Sequence, residues 1–97
     1  MSYVFHPAAE AEHLESVAYF ESKKPGLGAS YLAEFEKTLA RACKSPQRYP
    51  IEIDPDVRRI RMDRFPYAVL YREASDTVQV LAVAHHRRRP QYWLGRL

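Results

Sequence analysis

Apolar residues in the first half of the chain recur at the spacing of two amphipathic helices. After a short β-prone opening at residues 3–5, Pro7 suits the first position of a helix, because its missing N–H would have no partner there. An apolar stripe at helical spacing predicts the first helix over residues 7–23. The members of this stripe are Ala11, Leu14, Val17 and Ala18. The Lys-Lys-Pro-Gly run at residues 23–26 marks its end, since cations favour a helix C-terminus and Pro-Gly breaks helices.

A second helix is predicted directly after the Gly-Leu-Gly break at residues 26–28. Its apolar stripe keeps the 3.6-residue period, and charged residues occupy the other faces. The stripe consists of Tyr31, Leu32, Phe35, Leu39, Ala42 and Cys43. Ser45-Pro46 ends this helix, and residues 46–50 are predicted to form a loop. Because the two helices are joined by a short connection, we expect them to form a hairpin.

The second half of the chain changes to the two-residue period of β-strands. In residues 57–62, Ile60 and Met62 alternate with Arg59 and Arg61, which predicts a strand with an apolar face and an arginine face. Two guanidinium groups at that spacing repel each other unless an anion or a carboxylate lies across them. The alternatives are therefore a solvated sheet face and a face that binds an anionic group.

Two further β-prone runs follow. Residues 67–72 predict a strand, and residues 73–76 predict a four-residue hairpin loop after it. Residues 77–84 are almost wholly apolar, which is typical of a central strand covered on both faces. The predicted order is β-α-α-β-β-β, and it indicates a single α+β domain over residues 1–97.

Charge is divided unevenly between the two halves. Residues 1–56 carry six Lys or Arg and nine Asp or Glu, a net charge of −3. Residues 57–97 carry nine arginines, no lysine and three acidic residues, a net charge of +6. The planar guanidinium of arginine suits bidentate recognition of phosphate and carboxylate. We therefore expect the second half to meet an anionic partner.

Several classes of protein are not expected. No apolar run is long enough to span a bilayer, and the N-terminus has no basic leader, so neither a membrane protein nor a secretory signal is indicated. The lone cysteine, Cys43, lies on an apolar helix stripe and cannot form an internal disulfide, which favours a reducing, cytoplasmic location. No His, Cys or carboxylate cluster has metal-ligand spacing, so we expect neither a metal nor another cofactor.

The run from residue 85 to 93 is the densest concentration of reactive side chains. If the last strand continues that far, alternation places His85 and His86 on opposite faces. His86 shares parity with Ala82 and Ala84, whose small side chains would leave a shallow floor beside it. This makes His86 the candidate reactive imidazole. The alternative is that both histidines only cap the end of the strand.

The other residues of this run have structural interpretations. His85 shares parity with the bulkier Leu81 and Val83, a side that we expect to face the helices. Tyr92 and Trp93 directly follow the arginine run, so they either stack on bases or pack the C-terminus back onto the sheet. For Trp93 the packing interpretation is favoured.

Taken together, these features resemble the RelE/ParE superfamily of toxins from type II toxin–antitoxin modules. The resemblance covers essentially the whole chain and rests on the element order and on four short stretches. These are Pro-Gly-Leu-Gly at 25–28, Arg-Ile-Arg-Met at 59–62, Phe-Pro-Tyr at 65–67 and the run from Ala82 to Trp93. It implies a twisted, mainly antiparallel sheet with a helical hairpin packed on one face. It also implies a cognate antitoxin that wraps around the toxin, and we expect that antitoxin to be acidic and partly disordered.

Two mechanisms occur in this superfamily. RelE-like members are ribosome-dependent mRNA endonucleases that need no metal, because the 2′-hydroxyl attacks its own phosphate with the help of a base, cations and an acid. ParE-like members bind and poison DNA gyrase without hydrolysing anything. The expected function is a growth-inhibiting toxin of the RelE-like type. The alternatives are a ParE-like gyrase poison and an inert relative that only binds its antitoxin.

The RelE pattern can be carried over position by position. It assigns catalytic roles to Arg59, Arg61, His86 and Tyr92, and RNA or phosphate binding to Arg64, Arg88 and Arg89. His86 stands where that pattern has an arginine. Ala68 stands where it has a further, phosphate-clamping arginine, so that charge would have to come from Arg64 or Arg88.

Overall fold

One five-stranded sheet carries two helices on one face in a computed structural model that describes all of residues 1–97. The elements are β1 (Ser2–Phe5), α1 (Pro7–Lys23), α2 (Leu27–Lys44), β2 (Ile51–Ile53), β3 (Val57–Arg61), β4 (Tyr67–Ala74), β5 (Thr77–His85) and a 3₁₀ turn (Leu94–Arg96). The strand order is β1-β5-β4-β3-β2, with β1 parallel to β5 and the other neighbours antiparallel. The predicted α+β class, with a helical hairpin on a mainly antiparallel sheet, is confirmed. The three-residue β2 is an additional strand that was not predicted.

Local capping explains why the helices begin and end where the sequence predicts. At the start of α1, the Nδ1 atom of His6 accepts a 3.1 Å hydrogen bond from the backbone N–H of Ala8. The carboxylate of Glu21 accepts 3.1 Å hydrogen bonds from the backbone N–H groups of Gly26 and Gly28. These bonds satisfy donors that the first turn of α2 would otherwise leave free. Gly26 has a φ of +89°, which glycine adopts without strain.

The buried face of α1 differs from the predicted stripe. Leu14 is 61% exposed, and of the predicted stripe only Val17 packs against the core. The centre of the buried face is instead His13, whose ring lies 5.3 Å from the ring of Phe5 and 4.1 Å from that of Phe35. The predicted stripe is therefore wrong. The aromatic rings beside the helix decide which face of α1 is buried, and Phe20 packs on the same core, with its ring stacked on Tyr31.

The predicted stripe of α2 is confirmed except at its edge. Its buried members are Tyr31, Phe35, Leu39 and Ala42, with Cys43 partly buried beside them. Leu32 is 40% exposed. The stripe packs on Ile60, Met62 and the helix-facing side chains of the two longest strands. Neither helix combines the length and the apolar composition needed to cross a membrane.

The β4–β5 hairpin turns through two residues, Ser75 and Asp76, so the predicted four-residue loop over 73–76 is wrong. Both residues have positive φ angles, 46° and 42°. This is the backbone geometry of a two-residue type I′ turn, whose twist matches that of the flanking strands. Glu73 therefore stays in the ladder, paired with Val78.

β5 is an interior strand covered on both faces, as predicted, but a β-bulge at Leu81 divides it. Val80 and Ala82 pair with adjacent residues of β4, which leaves Leu81 without a partner. Val80 faces the helices before the bulge and Val83 does so after it, whereas Leu81 lies on the opposite face. The prediction that Leu81 and Val83 share one side is wrong, because the extra residue shifts the alternation.

A second, smaller apolar cluster lies on the sheet face opposite the helices, here called the distal face. Its buried members are Val57, Leu70, Leu81, Ala82 and Trp93. Trp93 is only 3% exposed, which confirms that it packs the C-terminus back onto the sheet. Residues 86–97, here called the C-terminal segment, thus cover part of the distal face.

Candidate functional site

A cleft of about 230 Å³ lies on the distal face, between the sheet and the C-terminal segment. Its floor is apolar and shallow, because Ala68 of β4 lies opposite Ala84 of β5 in the ladder. Arg59 of β3 lines one side, and residues 88–93 form the other. His86 lines the cleft as well. The small floor that the sequence predicts beside His86 is confirmed at Ala84.

A second groove, of about 480 Å³, adjoins the cleft. Arg61 and Arg64 line it, and Arg59 and His86 line both the groove and the cleft. The predicted alternation of β3 is confirmed, since Ile60 belongs to the helix-side core while its arginine neighbours line these openings.

The structure thus divides the predicted site residues between two connected openings. Those that line the cleft are Arg59, His86, Arg88, Arg89 and Tyr92. Those that line the groove are Arg59, Arg61, Arg64 and His86.

The arginines of the cleft and the groove have no carboxylate partner. The chain contains two ion pairs within 4.0 Å, namely Arg41 with Asp63 and Arg96 with Glu12. None of the five guanidinium groups at the two openings forms an ion pair with a carboxylate within 4.0 Å. These groups belong to Arg59, Arg61, Arg64, Arg88 and Arg89. Unpaired like charges repel one another, so an anionic group bound between them would relieve that repulsion.

Arg58 differs from its neighbour Arg59 in what it contacts. Its guanidinium donates hydrogen bonds to the carbonyl oxygens of Gln47, at 3.1 Å, and Tyr49, at 2.7 Å. It therefore holds the loop between α2 and β2 in place, and its charge is already engaged within the fold.

The hydrogen bonds of the two histidines indicate which ring nitrogens are free. Nδ1 of His86 lies 3.1 Å from the carbonyl oxygen of Pro66. Because a carbonyl only accepts, Nδ1 carries the proton, and Nε2 of the neutral ring keeps a lone pair. Nδ1 of His85 accepts a 3.0 Å hydrogen bond from the backbone N–H of Arg87. In this tautomer the Nε2 atom of His86 is free to accept a hydrogen bond.

β5 ends at His85, so strand alternation does not extend to His86. The two rings are stacked instead, with their centroids 4.7 Å apart. His85 also contacts the ring of Tyr67 at 5.1 Å. Burial, followed by the nearby His86 and Arg87, lowers the pKa of His85.

The hydroxyl of Tyr92 is engaged away from the cleft. It donates a 2.6 Å hydrogen bond to Oε2 of Glu12 on α1. Burial, together with this hydrogen bond, raises the pKa of Tyr92 far above its usual range. The guanidinium of Arg88 lies 3.8 Å from the centre of the Tyr92 ring. Tyr92 thus lines the cleft with its ring while its hydroxyl ties the C-terminal segment to α1.

Glu12 and Arg96 were not among the residues predicted from the sequence. Glu12 has the features of an ordinary acidic residue in the first turns of a helix, and Arg96 those of a tail arginine. No spacing connects two residues 84 positions apart, and only the folded chain brings their side chains to 2.9 Å.

Comparisons with known proteins identify the family. The family model described as "ParE toxin of type II toxin-antitoxin system, parDE" matches residues 3–90. The chain belongs to this family of ParE toxins. The predicted membership of the RelE/ParE superfamily is confirmed. Because this family forms toxin–antitoxin modules, a cognate antitoxin is a partner of this ParE toxin.

A solved structure shows that the fold is shared. It is titled "Chromosomal ParDE TA system from P. aeruginosa", and this ParE toxin is similar to it with a TM-score of 0.74. The alignment covers 88% of this chain and 95% of that chain at 17% sequence identity. At that identity the likeness concerns the fold. No curated protein sequence matches the chain.

Proposed function

We propose that this ParE toxin inhibits growth by binding and poisoning DNA gyrase, without hydrolysing a substrate. The family match supports the ParE-like alternative over the RelE-like one. The observation that carries the proposal is the floor of the cleft, where Ala68 lies opposite Ala84. RNA cleavage of the RelE type uses a phosphate-clamping arginine at position 68, and with alanine there the cations are confined to the sides of the cleft. The hydroxyl of Tyr92, the tyrosine that lines the cleft, already donates a hydrogen bond to Glu12.

A second candidate function, mRNA cleavage, is favoured by one observation. The free Nε2 of His86 lines the same openings as Arg59 and Arg61, so a base and two cations are within one region. Such a site has a general base and charge stabilisation but lacks a free acid for the leaving oxygen.

The two candidates can be separated by expressing the toxin in a bacterial host with two readouts. One readout maps mRNA 5′ ends on translating ribosomes, and the other measures gyrase-dependent DNA breaks. The proposal expects DNA breaks, no new cuts within codons, and unchanged toxicity of His86→Gln. Cuts within codons that disappear in His86→Gln would establish the nuclease instead. A wild-type chain without either effect would indicate an inert antitoxin-binding relative.

We further propose that an acidic, partly disordered segment of the antitoxin covers the unpaired arginines. Carboxylates on that segment would pair with Arg59, Arg61 and Arg88, whose side chains have no acidic partner within the toxin. Titration against the protein encoded beside this gene tests the idea. We expect Arg59→Gln combined with Arg61→Gln to lower the affinity about tenfold or more, and added salt to reduce that difference.

The matched control for this titration is Lys44→Gln combined with Arg48→Gln. Both residues are exposed and lie outside both openings, and the pair of substitutions removes two positive charges, as the double variant does. If neither the double variant nor this control changes the affinity for the antitoxin, an acidic segment that covers these arginines is contradicted.

A further inference from the structure

One carboxylate, that of Glu12, connects three distant parts of the chain. Its Oε2 accepts hydrogen bonds from the Tyr92 hydroxyl, at 2.6 Å, and from Nη2 of Arg96, at 2.9 Å. Its Oε1 accepts from Nη1 of Arg96, at 2.9 Å, and from the backbone N–H of Val83, at 3.0 Å. The side chains of this ion pair are mostly buried, 13% exposed for Glu12 and 17% for Arg96.

These contacts complete an edge of β5 that has no strand beside it. β1 pairs with β5 only as far as Val80, so the following backbone groups on that edge have no β-partner. The Val83 N–H is satisfied by Glu12, and the Leu81 carbonyl accepts a 3.0 Å hydrogen bond from Arg96. Because unpaired buried backbone groups are costly, the side-chain pair substitutes for the missing strand.

The same contacts decide where the wall of the cleft stands. Residues 88–93 form that wall, and they lie between the end of β5 and the Arg96 anchor. Glu12 holds Tyr92 in place, and the guanidinium carbon of Arg88 lies 3.8 Å from the centre of the Tyr92 ring. The position of Arg88 relative to Arg59 on the sheet therefore depends on Glu12, which does not line the cleft itself.

We propose that Glu12 is a positioning residue of this toxin: it docks the C-terminal segment through Tyr92 and Arg96 and thereby keeps Arg88 at the cleft that Arg59 also lines. Loss of Glu12 leaves the sheet and the helices in place but lets the wall of the cleft move. The inference rests on the proposed poisoning of gyrase and takes the arginines of the cleft as groups that contact the target. It adds a residue from the helical half of the chain that positions one of them.

The test compares Glu12→Gln with the matched control Glu15→Gln. Glu15 lies on the same helix, is exposed and has no side-chain hydrogen bond, so its substitution changes the net charge equally. Docking is measured on Trp93, the single tryptophan, as acrylamide quenching of its fluorescence. Toxicity is measured as the cellular toxin concentration, determined by immunoblot, that halves the growth rate.

We expect Glu12→Gln to increase the quenching constant of Trp93 about twofold or more and to lower toxicity about tenfold. Glu15→Gln should change neither. Circular dichroism shows whether each variant is folded. If Glu12→Gln does not fold, Arg96→Lys replaces it, since lysine keeps the charge but lacks the planar fork of two nitrogens that binds the two Glu12 oxygens.

Double-mutant cycles separate positioning from a general loss of stability. Arg88→Gln should cost little further toxicity in a Glu12→Gln background, because Arg88 has already lost its position. Arg61→Gln, on the sheet, should cost the same factor in both backgrounds. The proposal would be overturned if Arg88→Gln, like Arg61→Gln, cost the same factor in toxicity in both backgrounds. It would also be overturned if Glu12→Gln had the quenching constant and the toxicity of the wild type.

Growth is measured rather than gyrase activity, so a toxin with another target still reports on Glu12. If growth is arrested but no DNA breaks are found, the gyrase proposal is contradicted. The double-mutant cycles then still decide whether Glu12 positions Arg88. A wild-type chain that does not arrest growth would overturn the link between Glu12 and toxicity.

Discussion

Gly28 approaches Val17 so closely that a side chain does not fit between them: a Cβ atom at Gly28 would lie 2.8 Å from the carbonyl oxygen of Val17 and 3.0 Å from Cβ of Glu21. The contact lies where α2 begins against the last turns of α1. It gives the Pro-Gly-Leu-Gly stretch a physical role, because the helices can pack at this distance only with glycine at this position.

We therefore expect Gly28→Ala to destabilise the fold by about 1–3 kcal/mol, because the two helix backbones must move apart. In a domain of this size that corresponds to a fall in Tm of roughly 4–8 °C per kcal/mol in a thermal melt. Gly95→Ala is the control, since a Cβ atom there meets nothing within 4 Å. Equal melting temperatures for Gly28→Ala and Gly95→Ala would contradict the close contact.

Adjacent arginines on β3 should respond in opposite ways. Arg58→Gln removes hydrogen bonds from a guanidinium to two carbonyl oxygens, which we expect to cost about 1.5–3 kcal/mol in urea unfolding with little loss of toxicity per folded molecule. Arg59→Gln removes an unpaired cation at the cleft, so stability should change by less than about 0.5 kcal/mol while toxicity falls. Similar stability losses in both variants would show that Arg59 is also engaged within the fold.

His13 should make the toxin less stable in mildly acidic solution. Burial among aromatic rings lowers the pKa of His13, and its Nδ1 has no hydrogen-bond partner. The unfolded chain therefore binds a proton more readily than the folded chain, so stability is highest above pH 6.5 and falls as the pH drops below that value. The charged groups that act on the ring are Glu36 and Glu10, and both favour protonation.

The measurement is Tm as a function of pH for the wild type and for His13→Phe. Phenylalanine fills the same aromatic site without an unpaired nitrogen, so we expect a gain of about 1 kcal/mol near pH 7 and a larger gain near pH 5.5. A difference in Tm that stays constant over this range would show that His13 does not titrate on unfolding.

Glu12 should contribute a separate dependence at lower pH. Burial alone raises the pKa of Glu12, but hydrogen bonds from Arg96, Tyr92 and Val83 outweigh it and hold that pKa below its ordinary 4.5. Stability from Glu12 is thus complete above pH 4.5 and is lost as the pH falls through the lower, folded-state pKa. The gap in Tm between the wild type and Glu12→Gln should therefore narrow in acid. A gap at pH 3 as wide as that at pH 7 would refute this dependence.

The local sequence was sufficient wherever neighbouring residues decide the structure. The ends of α1 follow from Pro7 and from the Lys-Lys-Pro-Gly stretch, because caps and breakers act within one turn. The arginine face of β3 follows from the alternation of Arg59 and Arg61 with Ile60 and Met62. Short or irregular features escaped prediction: β2 is only three residues long, and the bulge at Leu81 leaves no mark in a nearly uniform apolar run.

The sequence by itself thus determined the α+β class, the resemblance to the RelE/ParE superfamily and the position of Arg59 and Arg61 on one face of β3. Only the tertiary structure decided that His13 rather than Leu14 is buried, since the choice depends on Phe5 and Phe35 from other elements. It also decided that the Tyr92 hydroxyl is bound to Glu12. Such contacts depend on where the folded chain places residues about 80 positions apart, and a carboxylate buried there persists only because its hydrogen bonds replace water.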